Sequence, residues 1–184
     1  MSKRLAIFLL TLLFQTGSFA ESSNPIQCRT SAPGFTPAGK VYSRECGNRT
    51  EIYLNDKLIL ADDEQLFPNE SSKDSLIAIY SGGTRDPVTT CRKSLYLLDF
   101  SKKPGKVISF GVKNACSNFE WVSWGTKRSV IALVHNVRFI YENGRMIPPK
   151  GGEDLWVAIE SGHGDPVDVD SITPFVKELP VPAN

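Results

Sequence analysis

Residues 52–59 read Ile-Tyr-Leu-Asn-Asp-Lys-Leu-Ile, and residues 140–147 read Ile-Tyr-Glu-Asn-Gly-Arg-Met-Ile. Each octapeptide places strand formers on both sides of a two-residue Asn-Asp or Asn-Gly centre. Those centres tolerate positive φ, so both stretches predict tight β-hairpins, and Asn-Gly is the preferred pair for a type I′ turn. A second matching piece follows each. Ile77-Ala78-Ile79-Tyr80-Ser81-Gly82-Gly83 leads to Asp86-Pro87-Val88, and Val157-Ala158-Ile159-Glu160-Ser161-Gly162-His163 leads to Asp165-Pro166-Val167. The offset falls from 88 residues (52 to 140) to 80 (77 to 157), which a shorter connecting loop in the second copy absorbs. The pattern is that of a duplicated strand–turn–strand–loop–strand unit.

Working outward, the same grammar recurs. Val41–Cys46, Leu76–Tyr80, Leu95–Phe100, Lys106–Val112, Phe119–Trp124, Val130–Val134, Val137–Tyr141 and Leu155–Ile159 are short runs rich in β-branched and aromatic residues. Gly, Asn and Pro break them at close intervals, and no window carries apolar residues at helical spacing. The chain is predicted to be all-β, with about ten short antiparallel strands arranged as a sandwich or as propeller-like blades. Leu95–Met146 has the local pattern of a blade, but ten strands fall short of the four blades that close a propeller. Residues 21–40 are rich in Pro and Gly and predict an irregular arm. Residues 61–75, with Asp62, Asp63, Glu64, Glu70, Asp74 and Pro68, predict a solvated acidic loop, and the Pro-rich tail is extended at best.

Lys3 and Arg4, an apolar run from Leu5 to Phe14, and Ser18-Phe19-Ala20 form the pattern of a cleaved secretory signal, with cleavage after Ala20. A single disulfide-containing β domain over 21–184 in the periplasm or outside the cell follows as the expectation. Without Lys3 and Arg4, the 21 basic residues become 19 against 20 acidic ones. That balance gives no basic stripe for nucleic acid, and no later run is long enough to span a membrane as a helix. In an exported chain the four cysteines predict disulfides. Short-loop closure favours Cys28–Cys46 and Cys91–Cys116 among three possible connectivities.

No catalytic, metal or cofactor motif is specific. The Ser-Gly loops at 81–87 and 161–168 can present backbone N–H groups to a ligand, with Arg85, Asp86, His163 and Asp165 as candidate contacts. Ser161, His163 and Asp165 supply the residue types of a small hydrolase, without the Gly-x-Ser-x-Gly elbow. Asp165, Asp168 and Asp170 lack the spacing of a calcium loop. Glu51, Asp62, Asp63, Glu120 and Glu160 offer carboxylates, but nothing pairs two of them as a glycosidase requires. Strict alternation puts Phe119 and Trp121 on one face of a strand and Val122 and Trp124 on the other. An exposed Trp121 or Trp124 would anchor a protein or carbohydrate. The expectation is therefore a non-enzymatic exported binding protein, of the inhibitor or immunity type, that neutralises an envelope-acting protein. The alternative is a hydrolase or a carbohydrate- or ligand-binding domain using the Ser-Gly loops.

Overall fold

The computed structural model describes residues 27–85, 91–113, 115–134, 137–150 and 173–182. Among them are fourteen strands and no helix, in three antiparallel sheets. Sheet A holds β1 (Cys28–Thr30), β3 (Gly39–Cys46), β4 (Arg49–Leu54) and β5 (Lys57–Asp62) in that order, with β2 (Gly34–Thr36) also paired to β3. Sheet B runs in the order β14 (Pro174–Leu179), β9 (Lys106–Val112), β8 (Arg92–Asp99), β7 (Ile77–Arg85), β6 (Phe67–Ser71). Sheet C is a meander of β10 (Phe119–Ser123), β11 (Arg128–Leu133), β12 (Val137–Glu142) and β13 (Arg145–Ile147).

The two octapeptides of the repeat are the β4–β5 and β12–β13 hairpins. Asn55 and Asp56 have φ of 51° and 63°, and Asn143 and Gly144 of 52° and 75°. Positive φ at both central positions marks turns whose twist matches the flanking strands. Asn55 also fastens its hairpin to β3: Lys40 N donates to its Oδ1 at 2.9 Å, and its own N–H donates to Lys40 O at 2.8 Å. The second piece of the later copy, 157–167, lies outside the described residues.

Side-chain alternation in sheet B stacks the three sheets. Ile79, Leu95, Leu97, Ile108, Phe110 and Val112 share one buried cluster with Ile131, Leu133, Val137, Phe139, Tyr141 and Met146 of sheet C. Leu98, Phe100 and Val107 share a second cluster with Ile52, Leu54, Ile59 and Leu60 of sheet A, and Tyr80 and Tyr96 pack against it. Sheet B is thus the middle layer. This explains why β8 reads Leu95-Tyr96-Leu97-Leu98 without a polar break: a strand covered on both faces has no wet side to encode. Phe110 of sheet B meets Phe139 of sheet C edge to face, with centroids 5.2 Å apart.

Cys28–Cys46 and Cys91–Cys116 are both bonded. The first joins residues directly opposite one another in the β1–β3 ladder. The second ties the start of β8 to the β9–β10 connection.

Four expectations are corrected. The arm at 21–40 is not wholly irregular, because β1 and β2 pair with β3. The acidic stretch 61–75 contains the end of β5 and all of β6. Pro68 is tolerated there because β6 is an edge strand and needs no donor on its outer side. Ser81-Gly82-Gly83 does not end its strand: β7 continues to Arg85 through a bulge between Gly82 and Arg85, with Gly83 at φ 73°. The Pro-rich tail supplies β14, which pairs with β9 along its whole length.

Candidate protein-binding face

Of the residues singled out as candidate contacts in the sequence, only Trp121 and Trp124 have side chains among those described. Arg85 closes β7 with its backbone paired to Arg92. Its side chain, together with Asp86, His163 and Asp165, lies outside the described residues, as does Ser161. The polar groups around the first Ser-Gly piece are occupied structurally. Ser81 Oγ accepts from Asn69 Nδ2 at 2.9 Å. Asp62 accepts from the backbone N–H of Gly83 at 2.7 Å and of Glu64 at 3.0 Å. A Cβ at Gly82 would lie 2.4 Å from the Tyr96 ring and 2.6 Å from Asp62 Oδ2, so the glycine is required by packing. Arg92, opposite Arg85, pairs with Glu64 at 2.9 Å and lies over the Phe67 ring. Among the described residues, these polar groups of sheet B hold one another and the backbone.

Trp121 and Trp124 are described, and they divide. A bulge between Phe119 and Trp121 shifts the register of β10 on β11. Phe119 then points into the B–C core, with Val122 and Trp124. Trp121 is turned outward and is 39% exposed. Strict alternation put Phe119 and Trp121 on one face; the extra residue of the bulge separates them. Val122 and Trp124 do share a face, as alternation predicts. Trp124 Nε1 is buried, with no hydrogen-bond partner among the described residues.

The outward face of sheet C is built of cross-strand rows. In the first, Trp121 lies opposite Ala132 and Ala132 opposite Arg138. The small alanine lets the Arg138 guanidinium reach over the indole, 5.8 Å from the ring centroid. In the second, Ser123, Val130, Ile140 and Ile147 follow one another across four strands, and Ile147 is 39% exposed. In the third, Arg128 lies opposite Glu142 and Glu142 opposite Arg145. No ion pair joins the three charges of that row. An apolar centre flanked by a cation–aromatic pair and by charged side chains is the anatomy of a protein-docking surface.

The outer face of sheet A is also aromatic, but its charges are already used. Tyr42 and Tyr53 are opposite one another and stack with ring centroids 5.0 Å apart. Lys40 pairs with Asp56 at 2.8 Å, which raises the pKa of the lysine and lowers that of the aspartate. Tyr53 donates to Glu51 at 2.7 Å. That bond lowers the carboxyl's pKa and raises the phenol's. Arg49 pairs with both Glu51 and Asp63. A face whose charges satisfy one another offers a partner less than one with a row such as Arg128, Glu142 and Arg145, which no ion pair joins.

Among the described residues no helix is long and apolar enough to cross a membrane. Comparison with protein-family models, with curated proteins and with solved structures gave no match.

Proposed function

We propose that this is a non-enzymatic exported binding protein that docks a partner protein on the outer face of sheet C. The carrying observation is Trp121, outward-facing on a rigid sheet, with Arg138 laid over its ring. Trp and Arg are the side chains that most often dominate binding energy at protein interfaces. The row Val130, Ile140 and Ile147 supplies apolar area beside them. With Arg128, Arg138 and Arg145 against Glu142, the face is complementary to an apolar patch rimmed by acidic side chains. The two disulfides support an oxidising compartment, and the signal-like N-terminus supports export. An inhibitor or immunity-type role towards an envelope-acting protein fits a rigid, disulfide-linked scaffold whose described polar clusters hold the fold together.

The test is affinity capture from the producing cell's envelope fraction and from competing cells, with oxidised wild type and the Trp121→Ala/Arg138→Ala variant side by side. A partner held stoichiometrically by wild type and lost from the variant is the expected result, because losing such an anchor costs about 2 kcal/mol or more. Equal capture by the two proteins would remove sheet C from the interface.

A further inference from the structure

Sheets B and C enclose a cleft at one end of their stack. Three connections form its walls: β8–β9 with Lys102 and Lys103, β10–β11 with Lys127, and the β12–β13 turn at Asn143-Gly144. Its volume is 340 Å³, within the range of about 300–1,000 Å³ usual for small-ligand sites. Loops held at the end of a rigid sheet stack are where binding groups are commonly carried.

Among the described residues, four lysines line it (Lys102, Lys103, Lys106 and Lys127), against a single carboxylate, Asp99. Both oxygens of Asp99 are engaged. Ser101 donates to Oδ1 from its N–H at 2.8 Å and from its hydroxyl at 2.5 Å, and the Tyr141 hydroxyl donates to Oδ2. Lys106 is engaged too, donating to Gly144 O at 3.0 Å and pairing with Glu178 at 3.6 Å. No ion pair joins Lys102, Lys103 or Lys127 to any described carboxylate. A second observation points the same way. Ser129, 4% exposed, lines the cleft and accepts from Gly125 N at 3.3 Å. Its own hydroxyl proton finds no acceptor among the described residues. Among the described residues, a buried donor without an acceptor, lining the same cleft as three lysines that make no ion pair, marks a site short of negative oxygen.

We propose that this cleft binds a multiply charged phosphate, a phosphomonoester or diphosphate group. Lys102, Lys103 and Lys127 neutralise it and the Ser129 hydroxyl donates to one of its oxygens. A carboxylate would neutralise one ammonium and leave the others repelling each other; a phosphomonoester or diphosphate carries more than one negative charge and enough oxygens for all of them. The group can belong to a soluble ester or to an anionic lipid headgroup, and the chemistry at the cleft is the same.

The experiment is calorimetric titration of the oxidised full chain with sodium pyrophosphate at constant ionic strength, with acetate in parallel. Saturable one-to-one binding is expected, with acetate about tenfold weaker or more. The Lys102→Ala/Lys103→Ala/Lys127→Ala variant should lose about tenfold in affinity or more. Ser129→Ala, which leaves the net charge alone, should lose about threefold. A control variant with the same charge change elsewhere, Lys73→Ala/Lys113→Ala/Lys177→Ala, should stay within about twofold. Unchanged melting curves would show that the variants fold. Absence of saturable binding, acetate binding as tightly as pyrophosphate, or equal loss in the control variant would each overturn the site. Co-sedimentation with vesicles containing phosphatidic acid, a phosphomonoester lipid, competed by pyrophosphate, assigns the site to lipid headgroups. Pyrophosphate binding without vesicle binding assigns it to soluble esters.

Discussion

Asp62 shows how a residue read as solvated can be structural. It is 8% exposed, and its two oxygens hold the N–H groups of Gly83 and Glu64. Sequence placed it in an acidic loop because five acids lie close together and the chain gives no sign of which of them turns inward. Asp62→Ala is expected to destabilise the fold by about 2–3 kcal/mol, since the Gly83 N–H is left without its acceptor. Asp62→Asn, which keeps an oxygen there, should cost less than half of that. Denaturant unfolding of the two variants measures the difference, and equal small losses would contradict the assignment. The tyrosines give a second prediction. Burial raises the pKa of Tyr42, Tyr80, Tyr96 and Tyr141, and the bond to Glu51 raises that of Tyr53. In the unfolded chain the phenols ionise near pH 10. Their contribution to stability is therefore complete below about pH 10 and is lost as pH rises from there through the folded pKa values. A spectrophotometric titration should show phenolate forming at higher pH in the native protein than in denaturant. Coincident curves would contradict the burial and hydrogen bonding described for these rings.

At the level of elements, the hairpins were the most legible part of the chain. Asn55-Asp56 and Asn143-Gly144 announce themselves because few residue pairs accept positive φ at both centres. Gly144→Ala is expected to cost about 1 kcal/mol, since alanine resists the φ of 75° there. A melting temperature equal to that of wild type would show that the turn is not the one described. The bulges were not legible. Those between Phe119 and Trp121 and between Gly82 and Arg85 each add a residue that alternation cannot anticipate. The first of them decides that Trp121 and not Phe119 is exposed, so the candidate site turned on a feature that local periodicity does not carry. Strand β6 was hidden for another reason: an edge strand with Pro68 followed by the consecutive polar residues Asn69, Glu70 and Ser71 reads as loop, because only one of its sides is paired.

For the molecule as a whole, composition and alternation led to an all-β fold and short-loop closure to the disulfide pairing, while the number of layers depended on contacts distant in sequence. The apolar run at Leu95–Leu98 was the available signal that sheet B has neighbours on both faces. The lysine cleft was invisible in sequence, because Lys102, Lys127 and the turn at Asn143 lie on separate connections that only the stacking of sheets B and C brings together. That stacking also makes the outward face of sheet C an end of the pile. Native-state hydrogen exchange tests it most directly, since slow exchange follows burial and distance from solvent. The account predicts that the amides of β8 and β9, in the layer covered on both sides, exchange most slowly, and that those of β3, β4 and β10 exchange faster. Slowest exchange in sheet A or sheet C, with β8 and β9 no better protected, would contradict the three-layer arrangement and the docking face that depends on it.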